Sequence, residues 1–370
     1  MSTEILPDVA VLRCGRRERA LAQMEAHDLD VLVLGRQANV RYVAGVPQRW
    51  MAGTRPFAPN CVLVRATGAV HLLSATDEGV PEDIPHDNLY EVSWNPTNVI
   101  AAVAHIEGAR TARRVGTDAL SPLFAQLLPL AFPSAELVDG EPAMRAARAI
   151  KTPDEVVAVR TAIAVAEAAL DQTAAALQPG VDEATLTGVM MAAMAAGGAS
   201  SPANQDVAWV TSRENPWQRA AGDGLVGAGD LVGISAAVLA GGYLGEVGRT
   251  YPAGSRPDSR AAALYGRWDE LWQRLSGACR PGAVGTDLLR AYADEELPPV
   301  PVAYGLGMGF DPPVVSGHLR RTAAAERLEP GMVLAVTGYV FEPGVGAVFG
   351  REAVLITEDG HEVLTTSPFS

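Results

Sequence analysis

The sequence predicts an α/β (α+β) protein of two domains, 1–150 and 151–370. Three observations predict it. Strand-like and helix-like segments alternate through the first third, a strong helix start stands at Thr152-Pro153-Asp154-Glu155, and apolar strand runs alternate again with helical periodicity beyond it. A length of 370 residues suits two domains by size alone.

Taken in order, RERALAQMEAHDLD places apolar residues at helical spacing. DVLVLGRQANVRYVAG reads as a buried strand, a turn and a second element. NCVLVRATGAVHLLSA reads as two strands around the ATG turn, and RRVGTDALSPLFAQLLPLAF as a strand followed by a helix. At the boundary, Thr152 can accept from the amide of Glu155, while Glu155 reaches back and Pro153 fills the first helical position. An Ala-rich helix should run to about Leu177 and end at Gly180. EATLTGVMMAAMAA and SRAAALYGRWDELWQRL read as further helices. DVAWVTS, DLVGISAAVLAGGY, MVLAVTGYVF and EAVLITEDG read as strands. There is no short-period repeat and no low-complexity tail.

Composition narrows the function classes. Hydrophobic residues make up 48%, enough for a buried core. The net charge of −14 argues against nucleic acid, whose phosphates need a basic face. The first residues carry no apolar signal core, and no apolar run approaches a membrane span, so a cytoplasmic location without membrane partners is expected. Three scattered cysteines, Cys14, Cys61 and Cys279, fit a reducing compartment and small buried apolar roles.

The stretch GDLVGISAAVLAGGYLGEVGRTYPAG, Gly229–Gly254, resembles the central hairpin of the pita-bread hydrolases, which include Xaa-Pro dipeptidases, methionine aminopeptidases and creatinase. YGLGMGFDPP, GMVLAVTGY and REAVLITEDG resemble later segments of that family. NVRYVAG and MRAARAIKTPDEVVAVR resemble its first domain and junction. The resemblance covers essentially the whole chain, most strongly from Lys151 onward. It implies an N-terminal creatinase-like α/β domain and a C-terminal pita-bread domain. It also implies where the peptidases' dinuclear metal ligands would stand, and here those positions hold Ser235, Glu246, Tyr304, Thr337 and Arg351. A dinuclear centre needs several hard or borderline ligands. One carboxylate among these residues is too few, so neither metal nor any other cofactor is expected. Creatinase works without metal, through a His whose matching position here falls at Trp217 or Gln218. No His lies between residues 106 and 317.

Glu246 is the leading candidate for general base; the plainer alternative is an ion pair with Arg249 or Arg351. Tyr304, at the ligand-His position beside the Gly305-Leu306-Gly307 turn, can donate to a developing oxyanion, or simply fill volume. Asp311 stands where the peptidases have a second His, or caps its DPP turn. Arg351 suits bidentate capture of a substrate carboxylate. Glu352 is a further catalytic candidate, because only the strand register decides which of Arg351 and Glu352 points inward. Ser235 and Thr337 are small polar lining residues. Trp217 and Arg219, with Trp209 before them, bring aromatic and cationic groups near the expected pocket, and aromatic walls suit planar or cationic amine substrates. Arg49, Trp50 and Arg55 lie in a loop whose creatinase counterpart reaches into the partner's site, which implies a homodimer. His318 is the one His near the motifs.

These residues suggest a metal-independent enzyme acting on a small amine or amino-acid-derived substrate. It would make or break a C–N bond, or close a ring through an iminium as in a Pictet–Spengler-type condensation. A creatinase-like metal-free hydrolase and a non-catalytic pseudo-peptidase binding module stand as alternatives.

Overall fold

The structure, a computed structural model, describes residues 8–46, 58–93, 95–204, 207–254, 256–318 and 326–368. The chain folds into two compact units that meet in sequence at Arg148/Ala149.

In the N-terminal unit, α1 (Val9–Ala26) is capped by the Asp8 side chain and buries Leu12, Ala20 and Met24 along one stripe. It is followed by β1 (Val31–Leu34), α2 (Gln37–Ala44), β2 (Cys61–Val64), β3 (Val70–Leu73), β4 (Leu89–Tyr90), α3 (Pro96–Ala104), β5 (Arg114–Thr117), α4 (Pro122–Leu127), β6 (Glu136–Asp139) and α5 (Glu141–Ala149). The strands form one sheet in the order β4-β3-β2-β1-β5-β6. β1 pairs antiparallel with β2 and parallel with β5, so the sheet is mixed. VLVL and CVLV are buried on both faces, which is why they read as continuous apolar runs rather than alternating ones.

The C-terminal unit opens on α6 (Pro153–Ala175). Its expected capping box is formed: Glu155 N donates to Thr152 Oγ1 at 3.2 Å and Thr152 N donates to Glu155 Oε2 at 3.0 Å. Then come α7 (Glu183–Ala196), β7 (Ser201–Pro202), β8 (Ala208–Val210), β9 (Leu231–Ala240), β10 (Tyr243–Pro252), α8 (Ser259–Ala278), α9 (Gly285–Ala291), β11 (Ala303–Leu306), β12 (Phe310–Val315), β13 (Val333–Glu342), β14 (Gly346–Ile356) and β15 (His361–Val363). The large sheet runs β12-β11-β13-β14-β10-β9-β7, with β8 on β9 and β15 on β14.

Two long antiparallel hairpins, β9–β10 and β13–β14, form the middle of this sheet. One face is covered by helices. Gly245 lets β10 approach α6 so closely that a Cβ there would lie 2.2 Å from the Ala162 carbonyl carbon. Trp268, Leu271 and Leu275 of α8 pack with Val336, Val340, Val348 and Val354. The other face carries the polar residues considered next.

Candidate active site

Side chains directly opposite on antiparallel neighbours share a face. Thr337 is opposite Arg351, Arg351 opposite Gly248, and Gly248 opposite Ser235, so these four make one row across β13, β14, β10 and β9. Two residues along, a second row holds Tyr304 opposite Ala335, Ala335 opposite Ala353, and Glu246 opposite Ala237. All five positions singled out in the sequence therefore lie on one face, spread over β11, β13, β14, β10 and β9.

β11 and β10 are three strand spacings apart, roughly 14 Å. The phenol and the carboxylate close that gap by reaching toward each other across Ala335 and Ala353, whose methyl groups leave the space open. The turn expected at Gly305-Leu306-Gly307 beside Tyr304 is not formed there: strand β11 carries Tyr304 and continues through Gly305 and Leu306. Those glycines serve β12: a Cβ on Gly305 would lie 2.5 Å from the Pro312 carbonyl oxygen, and one on Gly307 would overlap the Asp311 carboxylate.

At the centre, Glu246 Oε2 accepts from the Tyr304 hydroxyl and from Arg351 Nη1, the latter at 3.1 Å. Arg351 Nε donates to Thr337 Oγ1 at 3.1 Å. The Arg351 guanidinium carbon also stands 5.7 Å from the Tyr304 ring centroid and 5.5 Å from that of Phe349. Glu246, Tyr304, Ser235 and Thr337 are all buried. Burial drives the Tyr304 phenol well above its ordinary pKa; Arg351 opposes this and Glu246 adds to it. Burial alone would lower Arg351, but Tyr304 and Glu246 more than reverse that. The site thus holds a phenol fixed in its donor form and a permanent cation, both on one carboxylate. The fork of Arg351 is turned to Glu246 and Thr337, so its expected use as a clamp for a substrate carboxylate gives way to that of charge partner.

The register also decides between Arg351 and Glu352. Glu352 points to the opposite, helix-covered face, where its Oε2 accepts from Arg249 Nη2 at 3.0 Å and from the Thr365 hydroxyl. Burial raises its pKa, with Arg249 and Thr365 opposing. Its expected catalytic role is corrected: neighbours on a strand face opposite ways, and Arg351 takes the inward place.

Asp311 is corrected likewise. It is buried against Lys151 Nζ at 3.2 Å, with both side chains 1% exposed, and this ion pair accounts for it without a substrate. Arg219 is exposed and paired with Glu183 of α7. His318 is exposed beside Ser316, whose hydroxyl accepts from its backbone amide at 3.3 Å. Arg49, Trp50 and Arg55 lie outside the described residues.

Trp217 does meet the site face. Its ring stacks on Tyr339 at 3.6 Å between centroids, and its backbone amide donates to the Tyr339 hydroxyl at 2.6 Å. It adopts φ 61°, the left-handed region that costs a non-glycine residue energy. Trp217 and Trp209 both pack against Tyr339, Ala347 and Phe349, forming an aromatic wall beside Arg351. Trp209 fits over Gly233, where a Cβ would lie 2.6 Å from the indole. Among the described residues the buried Nε1 of Trp217 has no hydrogen-bond partner. Tyr339 and Phe349 escaped sequence reading because aromatic residues in strand runs look like core. Arg249, expected from the sequence only as a possible partner of Glu246, pairs instead with Glu352, and Arg351 takes the place beside Glu246.

The residues present do not fit a dinuclear metal centre. The single carboxylate of the group already carries a phenol and a guanidinium on one oxygen, and a cation beside Arg351 would meet like charge. Among the described residues no group of three or more His, Cys, Asp and Glu side chains is placed to hold a metal ion.

Residues 157–358 match the model of metallopeptidase family M24, and residues 16–150 match the creatinase/prolidase N-terminal domain. An uncharacterized hydrolase/peptidase, y4tL, of Sinorhizobium fredii is 25% identical over 99% of this chain and 97% of its own length. The dimethylsulfoniopropionate lyase DddP of Roseobacter denitrificans is also 25% identical, over 98% of this chain and 88% of its own. The prolidase of Pyrococcus horikoshii shares the fold, with a TM-score of 0.77 at 18% identity over 95% of this chain and 98% of that one.

Proposed function

The chain belongs to metallopeptidase family M24, and on that scaffold we propose a metal-independent enzyme that makes or breaks a C–N bond in a small amine or amino-acid-derived substrate. The observation that carries this reading is the convergence of the Tyr304 hydroxyl and the Arg351 guanidinium on one oxygen of Glu246.

Such a group performs proton transfer without an activated water. Glu246 takes a proton from the substrate, as a general base does. Tyr304, held protonated by burial, donates to the oxygen or nitrogen on which negative charge develops, and is reprotonated through Glu246. Arg351 balances the carboxylate throughout, in the region that the peptidases of the family give to metal. In the ring-closing form, a Pictet–Spengler-type condensation, an amine and a carbonyl compound lose water to give an iminium. An aryl carbon then bonds to the iminium carbon, and Glu246 removes the ring proton.

The aromatic wall of Trp217, Tyr339 and Phe349 suits a planar amine. A relative named as a dimethylsulfoniopropionate lyase supports chemistry other than peptide hydrolysis on this scaffold. The test is turnover of paired aryl-ethylamines and aldehydes, alongside Xaa-Pro dipeptides, by protein stripped of metal. Condensation or C–N cleavage lost in Glu246→Gln is the expected result. Activity only with added divalent metal would overturn the reading.

A further inference from the structure

The two central hairpins are each zipped by ten residue pairs, but between them the pairing reduces, among the described residues, to Gly248 opposite Arg351. That seam is where Glu246, from one hairpin, must meet Arg351, from the other. Side chains hold it. Arg249 Nη1 donates to the Gly248 carbonyl at 2.7 Å and to the Arg351 carbonyl at 3.1 Å, thereby gripping both strands at the opposed pair. Nη2 donates to Glu352 at 3.0 Å and to the Ser367 carbonyl at 2.8 Å, and Nε reaches the same carbonyl at 3.3 Å. The five N–H donors of a guanidinium are thus matched by five contacts. Next along β10, the Thr250 hydroxyl donates to the Phe349 carbonyl at 2.9 Å and accepts from the Phe349 amide at 2.8 Å.

The acceptor at Ser367 is itself fixed. Ser367 N donates to Glu167 Oε1 at 2.6 Å, Thr366 Oγ1 donates to Glu167 Oε2 at 3.1 Å, and the Ser367 hydroxyl donates to Asp171 at 3.2 Å. The segment after Leu364 is therefore fastened to α6 and presents its backbone to Arg249.

We propose that Arg249, anchored by the segment Thr365–Ser367, is a positioning residue that sets the offset of the two hairpins and so brings Glu246 to Tyr304 and Arg351. The inference rests on reading those three residues as the working group. Arg249 lies on the opposite face of the sheet and does not touch the site, so it acts through the backbone of Gly248 and Arg351. Lysine would keep the charge, but its three donors on a point ammonium cannot span both carbonyls, Glu352 and Ser367.

The experiment uses the whole protein with ¹³Cζ-labelled tyrosine, and Tyr304→Phe identifies the Tyr304 signal. Arg249→Lys is expected to shift that signal toward a free phenol. It should also speed amide exchange in 245–251 and 347–353 on the order of tenfold while the remaining strands keep their protection. A chain ending at Leu364 should do the same to a smaller extent, and it decides the matter if Arg249→Lys does not fold. A lowered melting temperature with an unmoved Tyr304 signal would make Arg249 a structural residue only and overturn the proposal. Glu246→Gln separates the two claims, since it should move the Tyr304 signal and leave exchange at the seam unchanged. Turnover retained in Glu246→Gln would end the catalytic reading, whereas the seam stands or falls on Arg249→Lys.

Discussion

Glu246 accepts two donors on a single oxygen, and in the proposed reaction its carboxylate takes the substrate's proton and returns one to Tyr304. Glu246→Gln preserves size and much of the hydrogen bonding but cannot accept a proton near neutral pH. It should lower turnover at least about 10²-fold while substrate still binds. Titration calorimetry beside rate measurements on folded protein checks both halves. Tyr304 gives a second test through pH. Its pKa is raised in the folded chain, as are those of Tyr251, Tyr265 and Tyr292, burial being the first cause each time. Groups raised in this way contribute stability that is whole below the unfolded value, about 10 for tyrosine, and is lost as pH climbs toward the folded value. The melting temperature should therefore decline above about pH 10, and less steeply in Tyr304→Phe. An identical alkaline limb in that variant would remove Tyr304 from the account. Asp311, by contrast, should matter to stability and not to binding. Asp311→Asn leaves Lys151 buried without its charge partner, a loss of about 3–5 kcal/mol. Thermal melts should reveal it, and an unchanged melting temperature would contradict the buried pair.

At the level of elements, the spacing between Tyr304 and Glu246 depends on Ala335 and Ala353, which face each other between them with 0% exposure. Ala353→Leu should drive a branched side chain into that gap. Overpacking of this kind costs about 1–3 kcal/mol, and here it should also part the phenol from the carboxylate. The expected outcome is a modest fall in melting temperature with a disproportionate loss of turnover; equal losses in both would mean that the gap does not matter. Such dependence on two alanines marks where sequence reading stops. The capping box at Thr152 and Glu155 was legible because all its partners lie within one helical turn. The strand runs were legible because buried strands require continuous apolar residues. The resemblance to the family marked Ser235, Glu246, Tyr304, Thr337 and Arg351, but the direction of Arg351 against Glu352 turns on a register that only pairing with β13 fixes. Lys151 is 160 positions from Asp311, and Ser367 is 118 from Arg249; no local pattern announces such partners.

On the scale of the whole molecule, the family and the site point in different directions, and metal content is the measurement that sets them against each other. The pita-bread scaffold is present from α6 to β15, and residues 157–358 match the metallopeptidase family M24 model. If the scaffold alone drew metal, purified protein would carry one or two equivalents of Mn, Co or Zn. The donor set argues otherwise: a guanidinium and a phenol already occupy one oxygen of Glu246, the guanidinium would repel a cation there, and Thr337 and Ser235 are weak neutral ligands. Metal binding to the native state would also stabilise it, by about 2.7 kcal/mol at a hundredfold excess over Kd, so chelation would lower the melting temperature of a true metalloprotein. Here elemental analysis should find far less than one equivalent, and EDTA should leave both the melting temperature and activity unchanged. A stoichiometric metal lost together with activity would mean that Arg351 swings away from Glu246 in solution, and the acid–base reading would fall with it.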